Sequence, residues 1–171
     1  MILALLLTPL MSASAAAKQP YITSAYTKFD ERRCKEIEAE HDIEGGELWS
    51  VSRCPGYHGI PLFLSYDDER DDLDAGVRNQ ASAFEGPMHH VNQTVEWRLS
   101  DGKPFAIIFR IAASPPHARW ARLIVETIGR PGKPGCPVAK FDALKLNANV
   151  AARRAADAVL NGKAHCIDLG E

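Results

Sequence analysis

Four widely spaced cysteines constrain the fold of this chain most. They are Cys34, Cys54, Cys136 and Cys166, and an even number of cysteines is typical of a disulfide framework formed in an oxidising compartment. A structural zinc site needs closely spaced cysteine pairs or clustered histidines, and these spacings are too wide for one; free thiols are the remaining alternative. Of the three possible pairings we predict Cys34–Cys54 and Cys136–Cys166, because each pair brackets a local unit whose ends can meet.

The first residues of the chain indicate export. Residues 2–11 form a short apolar run, and residues 12–17 (SASAAA) have only small side chains. This order is typical of a secretory signal peptide with an A-x-A cleavage site, and the run is shorter than a membrane helix, which needs about 20 residues. We therefore predict a signal peptide at residues 1–17, cleaved after Ala17 or Ala15, and a periplasmic or secreted protein. A buried N-terminal helix is the alternative, since no Lys or Arg precedes the run.

Size and charge predict one globular domain at residues 18–171. About 150 residues is the usual size of a domain and is enough to bury a core. The formal net charge of −2 at pH 7 argues against a nucleic-acid partner, because phosphate backbones are bound by basic surfaces. We also expect no membrane span after the signal peptide, since no later segment is sufficiently apolar.

The hydrophobic pattern predicts an α+β fold with a mainly antiparallel sheet. Residues 29–40 are rich in helix-favouring charged residues, which predicts a short N-terminal helix capped by Asp30. A C-terminal helix is predicted at residues 148–160, with Asn147 as N-cap and Gly162 beyond its end, and its alanine-rich face would pack on the sheet. Alternating apolar residues predict strands at 47–54, 60–66, 73–78, 91–99, 104–112, 120–128 and 138–142.

The strands with the clearest alternation predict a candidate binding surface. A three-residue hairpin loop at residues 100–102 would place Trp97 opposite Phe105 on the core side. The opposite side would then carry charged residues of both strands, joined by the less apolar side of strand 120–128. A solvated face, or one covered by the C-terminal helix, is the alternative. Because Arg and Trp concentrate binding energy at interfaces, we predict a recognition surface formed by Glu96, Arg98, Arg110, Trp120 and Arg122.

Motifs for catalysis or metal binding are weak. His89 and His90 are adjacent, so their side chains should point apart, and we expect exposed loop histidines, as at His58 and His117. Residues 67–74 (DDERDDLD) lack the spacing of an EF-hand, and we expect a solvated, charged turn there. The sequence contains no G-x-S-x-G motif, which marks one class of serine hydrolase. We therefore predict no catalytic residue, no metal ligand and no cofactor.

Several short segments resemble a family of uncharacterised exported proteins of alphaproteobacteria. The resemblance covers nearly the whole chain after the signal peptide. It implies export, two cysteine pairs and a single domain, and it implies neither an activity nor site residues. The segments are 54–57 (CPGY), 68–70 (DER), 95–99 (VEWRL), 136–139 (CPVA), 149–153 (NVAAR) and 155–157 (AAD).

Two classes of function follow from these observations. We predict a non-enzymatic binding or interaction module of the periplasm, whose partner is a protein or another component of the cell envelope. The alternative is a small periplasmic hydrolase with carboxylate or histidine chemistry. A deep pocket that gathers His, Asp or Glu with perturbed pKa values would favour the hydrolase. A shallow face of charged and aromatic residues would favour the binding module.

Overall fold

The computed structural model describes residues 19–28, 30–79, 87–113 and 120–169. The predicted signal peptide lies outside these residues. Within them the chain forms ten strands, two short 3-10 turns and one α-helix. These elements are β1 (Ile22–Lys28), β2 (Lys35–His41), β3 (Glu47–Cys54), β4 (Leu62–Asp67), β5 (Arg70–Ala75), β6 (His89–Val91), β7 (Thr94–Ser100), β8 (Lys103–Ala113), β9 (Ala121–Thr127), β10 (Pro137–Asp142) and α1 (Ala148–Leu160).

The long strand β8 organises the sheet because it pairs along both of its edges. One edge pairs with β7 and then with β6, and the other edge pairs with β9, which in turn pairs with β10. Strand β1 joins the free edge of β7, and β5, β4, β3 and β2 continue from β6 in that order. The described pairs are antiparallel except for the short contact between β5 and β6. The prediction of a mainly antiparallel sheet is therefore confirmed.

Strands β7, β8 and β9 are apolar on both faces because each face covers a separate core. On one face, Trp97 and Phe109 pack with Leu62 and Leu73 from the β4–β5 hairpin. Trp97, which is fully buried, donates its indole N–H to Thr27 Oγ1 at 2.8 Å, so its polar group is satisfied. On the other face, apolar side chains of β8 and β9 pack beneath α1. The sheet is thus the middle layer of this part of the fold.

Helix α1 packs on the sheet as its sequence predicts. Ala148, Ala152 and Ala156 are buried at intervals of four residues, and side chains this small let the helix approach the strands closely. Asn147 occupies the N-cap position in the left-handed conformation, and its side chain makes no capping hydrogen bond. The other end is closed by Gly162, which has a φ of 64° and forms the C-terminal cap typical of glycine.

The predicted N-terminal helix at residues 29–40 is wrong. Only Glu31–Arg33 forms a 3-10 turn, in which the Asp30 side chain accepts a hydrogen bond from the backbone N–H of Arg32. The chain then enters β2, which pairs antiparallel with β3. Pairing with a neighbouring strand overrides the helix propensity of these charged residues, which is a weak preference compared with tertiary context.

The loop of the β7–β8 hairpin is one residue shorter than predicted. Its turn has two residues, Asp101 and Gly102, with φ values of 48° and 78°, as a type I′ turn requires. A bulge opposite Arg98 then shifts the register again, so Trp97 faces Ile107 and not Phe105. Phe105 is the extra residue of the bulge, and it packs in the core beneath α1. The sequence pattern alone does not reveal such a bulge.

Both predicted disulfides are present. Cys34 is bonded to Cys54 and Cys136 to Cys166. Disulfides are typical of an oxidising compartment outside the cytoplasm, and these two therefore indicate such a location. Throughout the ranges that the structure describes, no helix combines the length and the apolar character that a bilayer crossing requires.

Candidate functional site

The residues predicted to form a recognition surface do not share one accessible face. Glu96 and Arg98 are only 8% and 7% exposed, because α1 covers them. Arg122 pairs with Ile111, and paired residues of an antiparallel ladder lie on the same face of the sheet. Arg122 therefore lies on the face opposite to Arg98, and Trp120 packs against the Trp97 core. The predicted surface is therefore wrong, and its alternative, a face covered by the C-terminal helix, is confirmed for Glu96 and Arg98. Arg110 shares that face, because it pairs with Leu123 of the core beneath α1. The pattern within single strands does not set the phase of β9 relative to β8.

Glu96 and Arg98 instead form an ion network that attaches α1 to the sheet. Arg98 donates to both carboxylate oxygens of Asp157 at 2.8 and 2.9 Å. Arg153 donates to Glu96 at 2.6 Å, and the Ser24 hydroxyl bridges the two pairs. Each buried charge thus has a partner of opposite sign, which burial requires. The network is a structural element of the helix–sheet interface.

Arg98→Ala is expected to lower the free energy of unfolding by about 2–3 kcal/mol. The substitution leaves the half-buried Asp157 without its bidentate partner, and removing one member of a partly buried pair costs less than the roughly 3–5 kcal/mol typical of a fully buried one. Urea titration followed by circular dichroism measures the loss. Arg154→Ala is the matched control, because Arg154 is an exposed arginine of the same helix, and its loss should stay within about 0.5 kcal/mol. Equal effects of the two substitutions would contradict this role of Arg98.

A buried pair of carboxyl groups joins β5 to β9. Asp74 and Glu126 are each 2% exposed, and their side chains lie within hydrogen-bonding reach of each other. One oxygen of each, Asp74 Oδ1 and Glu126 Oε1, has no donor among the described residues. A proton held between the two carboxyl groups satisfies both oxygens at once. The folded state therefore favours a proton on this pair.

The pKa values of both acids reflect this environment. Burial, with the nearby charge of Asp72, raises the pKa of Asp74 to about 7. Burial also raises the pKa of Glu126 well above its ordinary value, and the charge of Asp74 raises it further. The backbone N–H of Asn79 donates to Asp74 Oδ2 at 3.1 Å, which opposes the shift only in part. Two like charges in a site with so little water are unfavourable.

The segment that follows β9 encloses the carboxyl pair. The backbone N–H of Gly129 donates to the carbonyl of Ala75 at 2.8 Å, so this segment docks on the end of β5. A Cβ atom at Gly135 would lie 2.9 Å from Glu126 Oε1, and one at Gly129 would collide with the backbone of Val77. Glycine is required at both positions for this close approach. The acid pair is consequently sealed from solvent.

This burial argues against a catalytic role for the acid pair. A general acid or base must come within hydrogen-bonding reach of its substrate, and neither Asp74 nor Glu126 lines the cavity described below. The prediction for residues 67–74 is a solvated, charged turn. That prediction is wrong for its second half, because β5 begins at Arg70 and carries Asp72 and Asp74 into the interior.

The histidines provide no metal site within the described residues. His89 belongs to β6 and is 2% exposed, so its prediction as an exposed loop residue is wrong. Its ring nitrogens lie 2.8 Å from the Pro87 carbonyl and 3.0 Å from that of Asp71. His90 is exposed, which confirms that the adjacent side chains point apart. Among the residues with described positions, no group of three or more His, Cys, Asp or Glu could hold a metal ion; His117 lies outside them.

A cavity of about 470 Å³ opens where α1 ends above the β9–β10 hairpin. Its size is within the range of small-molecule sites, about 300–1,000 Å³. The Cys136–Cys166 disulfide forms part of its wall. Thr127 also lines it, and its hydroxyl oxygen accepts a hydrogen bond from the backbone N–H of Cys136 at 2.9 Å. The apolar residues of its lining are Phe105, Ile128, Pro134, Val138, Val159, Leu160 and Ala164.

Two cations border this apolar cavity. Arg130 and Lys133 both line it and are both exposed. Neither takes part in any ion pair found among the described residues, and none of the described lining residues is acidic. Sequence reasoning missed this site. The available signal was the segment Arg130-Pro131-Gly132-Lys133, in which a Pro-Gly turn separates two cations.

Comparisons with family models, with curated proteins and with solved structures found no match to this chain.

Proposed function

We propose that this chain is a non-enzymatic binding protein of the periplasm and that the cavity at the end of α1 receives its ligand. The apolar cavity is the observation that carries the proposal. Contiguous apolar surface left open to water is unfavourable, and a concave apolar site of this size is the usual form of a small-molecule site. The lining contains neither a carboxylate nor a histidine among the described residues, so the hydrolase alternative has no supporting group there.

The ligand that suits this cavity is a small, partly apolar component of the cell envelope. The two disulfides indicate an oxidising compartment, and the predicted signal peptide would deliver the chain to the periplasm. The disulfide ties one wall of the site to β10, and the docking of Gly129 on β5 anchors the segment that carries its rim. Such preorganisation lowers the entropic cost of binding.

Filling the cavity is expected to abolish the binding of an apolar probe. The wild-type protein should enhance the fluorescence of N-phenyl-1-naphthylamine in a saturable manner. In Ala164→Trp, the indole should occupy the space beside Leu160 and weaken this binding by roughly tenfold or more. Asn161→Trp is the matched control, because Asn161 is exposed and does not line the cavity. Circular dichroism and thermal unfolding establish that both variants fold.

The results for the wild type and the two variants decide whether the cavity is the ligand site. Saturable probe binding that is lost in Ala164→Trp and kept in Asn161→Trp supports the cavity as the ligand site. Absence of saturable binding to the wild type, or equal binding by both folded variants, would rule out the cavity as a site for apolar ligands.

A further inference from the structure

We propose that the ligand of this cavity is an amphipathic anion, whose oxyanion head is held by Arg130 and Lys133 while its hydrocarbon part lies on the apolar floor. This inference rests on the proposed function and adds the chemical class of the ligand. It is carried by the geometry of the turn that presents the two cations and by the chemistry of the cavity beside them.

The turn holds the two cations side by side. The backbone N–H of Arg130 donates to the carbonyl of Lys133 at 2.8 Å, and the N–H of Lys133 donates to the carbonyl of Arg130, also at 2.8 Å. The two residues thus form an isolated antiparallel bridge. Gly132, between them, has a φ of 78°, which a tight turn with proline before glycine requires. Residues opposed in this way have Cβ atoms about 5 Å apart and project from the same side.

This arrangement is more favourable when an anion accompanies it. Like charges placed directly opposite each other destabilise a strand pair, and neither cation has a carboxylate partner among the described ion pairs. Arg130 offers a planar fork of donors and Lys133 a compact charge, and both suit carboxylate or phosphate oxygens. An oxyanion placed between them would remove their repulsion.

The cavity adds the apolar half of the ligand. Phe105, Val138 and Val159 belong to the core beneath α1, and they face the cavity beside the two cations. A ligand with a charged head and an alkyl part would match both surfaces, whereas a fully polar anion would leave the floor exposed to water. The site therefore selects for amphipathic character as well as for negative charge.

The partial negative charge at the C-terminal end of α1 does not outweigh this preference for an anion. Helix C-termini carry partial negative charge on their free carbonyl groups, and Leu160 and Gly162 line the cavity. The backbone N–H groups of Gly162 and Lys163 donate to the carbonyls of Val159 and Ala158, at 3.2 and 3.1 Å. These hydrogen bonds satisfy two of the carbonyl groups in the last turn of α1, which leaves the full charges of the two cations as the larger charges at the rim.

Four probes with the same alkyl chain test the inference. Dodecanoate, dodecyl phosphate, dodecan-1-ol and dodecyltrimethylammonium are titrated below their micelle concentrations, by displacement of N-phenyl-1-naphthylamine from the wild-type protein. At least one of the two anions should bind roughly tenfold or more tightly than the alcohol, and the quaternary ammonium should bind no better than the alcohol. The stronger of the two anions then identifies the head group as a carboxylate or a phosphate.

Charge-removing variants locate the head group. Arg130→Ala/Lys133→Ala should lose roughly tenfold or more of the affinity for the preferred anion and keep its affinity for dodecan-1-ol. Lys145→Ala/Arg154→Ala removes the same net charge from exposed positions that do not line the cavity, and it should keep the anion preference. A preference that survives in Arg130→Ala/Lys133→Ala, or that disappears equally in both variants, would overturn the inference.

The same measurements distinguish this inference from the proposed function. If the alcohol and the anions bind equally and Ala164→Trp abolishes all binding, the cavity is a ligand site and only the choice of an anion is wrong. If no probe displaces N-phenyl-1-naphthylamine and Ala164→Trp has no effect, the cavity itself is not a ligand site.

Discussion

Replacing Asp74 with asparagine is expected to raise the free energy of unfolding at pH 8 by about 3 kcal/mol. In the wild-type protein at this pH the buried carboxyl pair has lost a proton, and a negative charge is held where water is excluded. Asparagine is neutral and has the same shape. Its oxygen can accept from the backbone N–H of Asn79, as Asp74 Oδ2 does, and its amide can donate to the otherwise unsatisfied Glu126 Oε1.

The sign of the pH dependence follows from the direction of the pKa shift. The pKa of Asp74 is raised in the folded state from its ordinary 3.8 to about 7. Between these values the folded protein keeps a proton that the unfolded chain has released, so its stability falls as the pH rises. The stabilisation by the protonated pair is complete below about pH 4 and is lost through pH 7. The raised pKa of Glu126 acts in the same direction.

Urea titrations at several pH values between 4 and 8 measure this effect, with the disulfides intact. Asp74→Asn and Glu126→Gln should each flatten the decline of stability with pH, since each removes one of the two coupled acids. Glu36→Gln is the control, because Glu36 is an exposed carboxylate of β2, and it should follow the wild-type curve. If Asp74→Asn and Glu126→Gln both retain the wild-type decline, the two side chains do not share a proton.

Features that depend on nearby residues were predictable from the sequence. Each disulfide closes a short loop, and α1 has helix formers throughout its length, so local patterns were sufficient for both. The charged segment that forms β2 was not predictable in this way, because its structure does not follow its local preference. Its residues favour a helix in isolation, and only the strand β3 beside it makes a strand more stable. No local pattern contains that information.

The candidate site was less predictable because it depends on relations between distant residues. The bulge moves Phe105 alone into the core beneath α1, whereas Trp97, Ile107 and Phe109 lie on the core side that the alternation predicts. Glu96 and Arg98 lie on the opposite side, as predicted, but α1, which is distant in sequence, covers that side. Likewise, Asp74 and Glu126 belong to separate hairpins, and only the docking of the segment around Gly129 on β5 brings them together.

Removing the Cys136–Cys166 disulfide is expected to lower the free energy of unfolding by about 3–4 kcal/mol. The bond closes a loop of 30 residues, and without it the unfolded chain gains conformational entropy. The bond also holds the chain after α1 against β10, where the N–H of Ile167 donates to the carbonyl of Pro137 at 2.9 Å. Cys136→Ala/Cys166→Ala should therefore also loosen the wall of the cavity and weaken the binding of N-phenyl-1-naphthylamine.

Cys34→Ala/Cys54→Ala is the matched control for this second effect. Its disulfide spans 20 residues, so a similar loss of about 3 kcal/mol is expected, but neither cysteine lines the cavity. Probe affinity measured at a temperature where both variants remain folded should fall only in Cys136→Ala/Cys166→Ala. If both variants lose probe affinity equally, the loss reflects general destabilisation. If neither loses it, the disulfide is not needed to form the cavity wall, and the tail after α1 is held by its hydrogen bonds and packing alone.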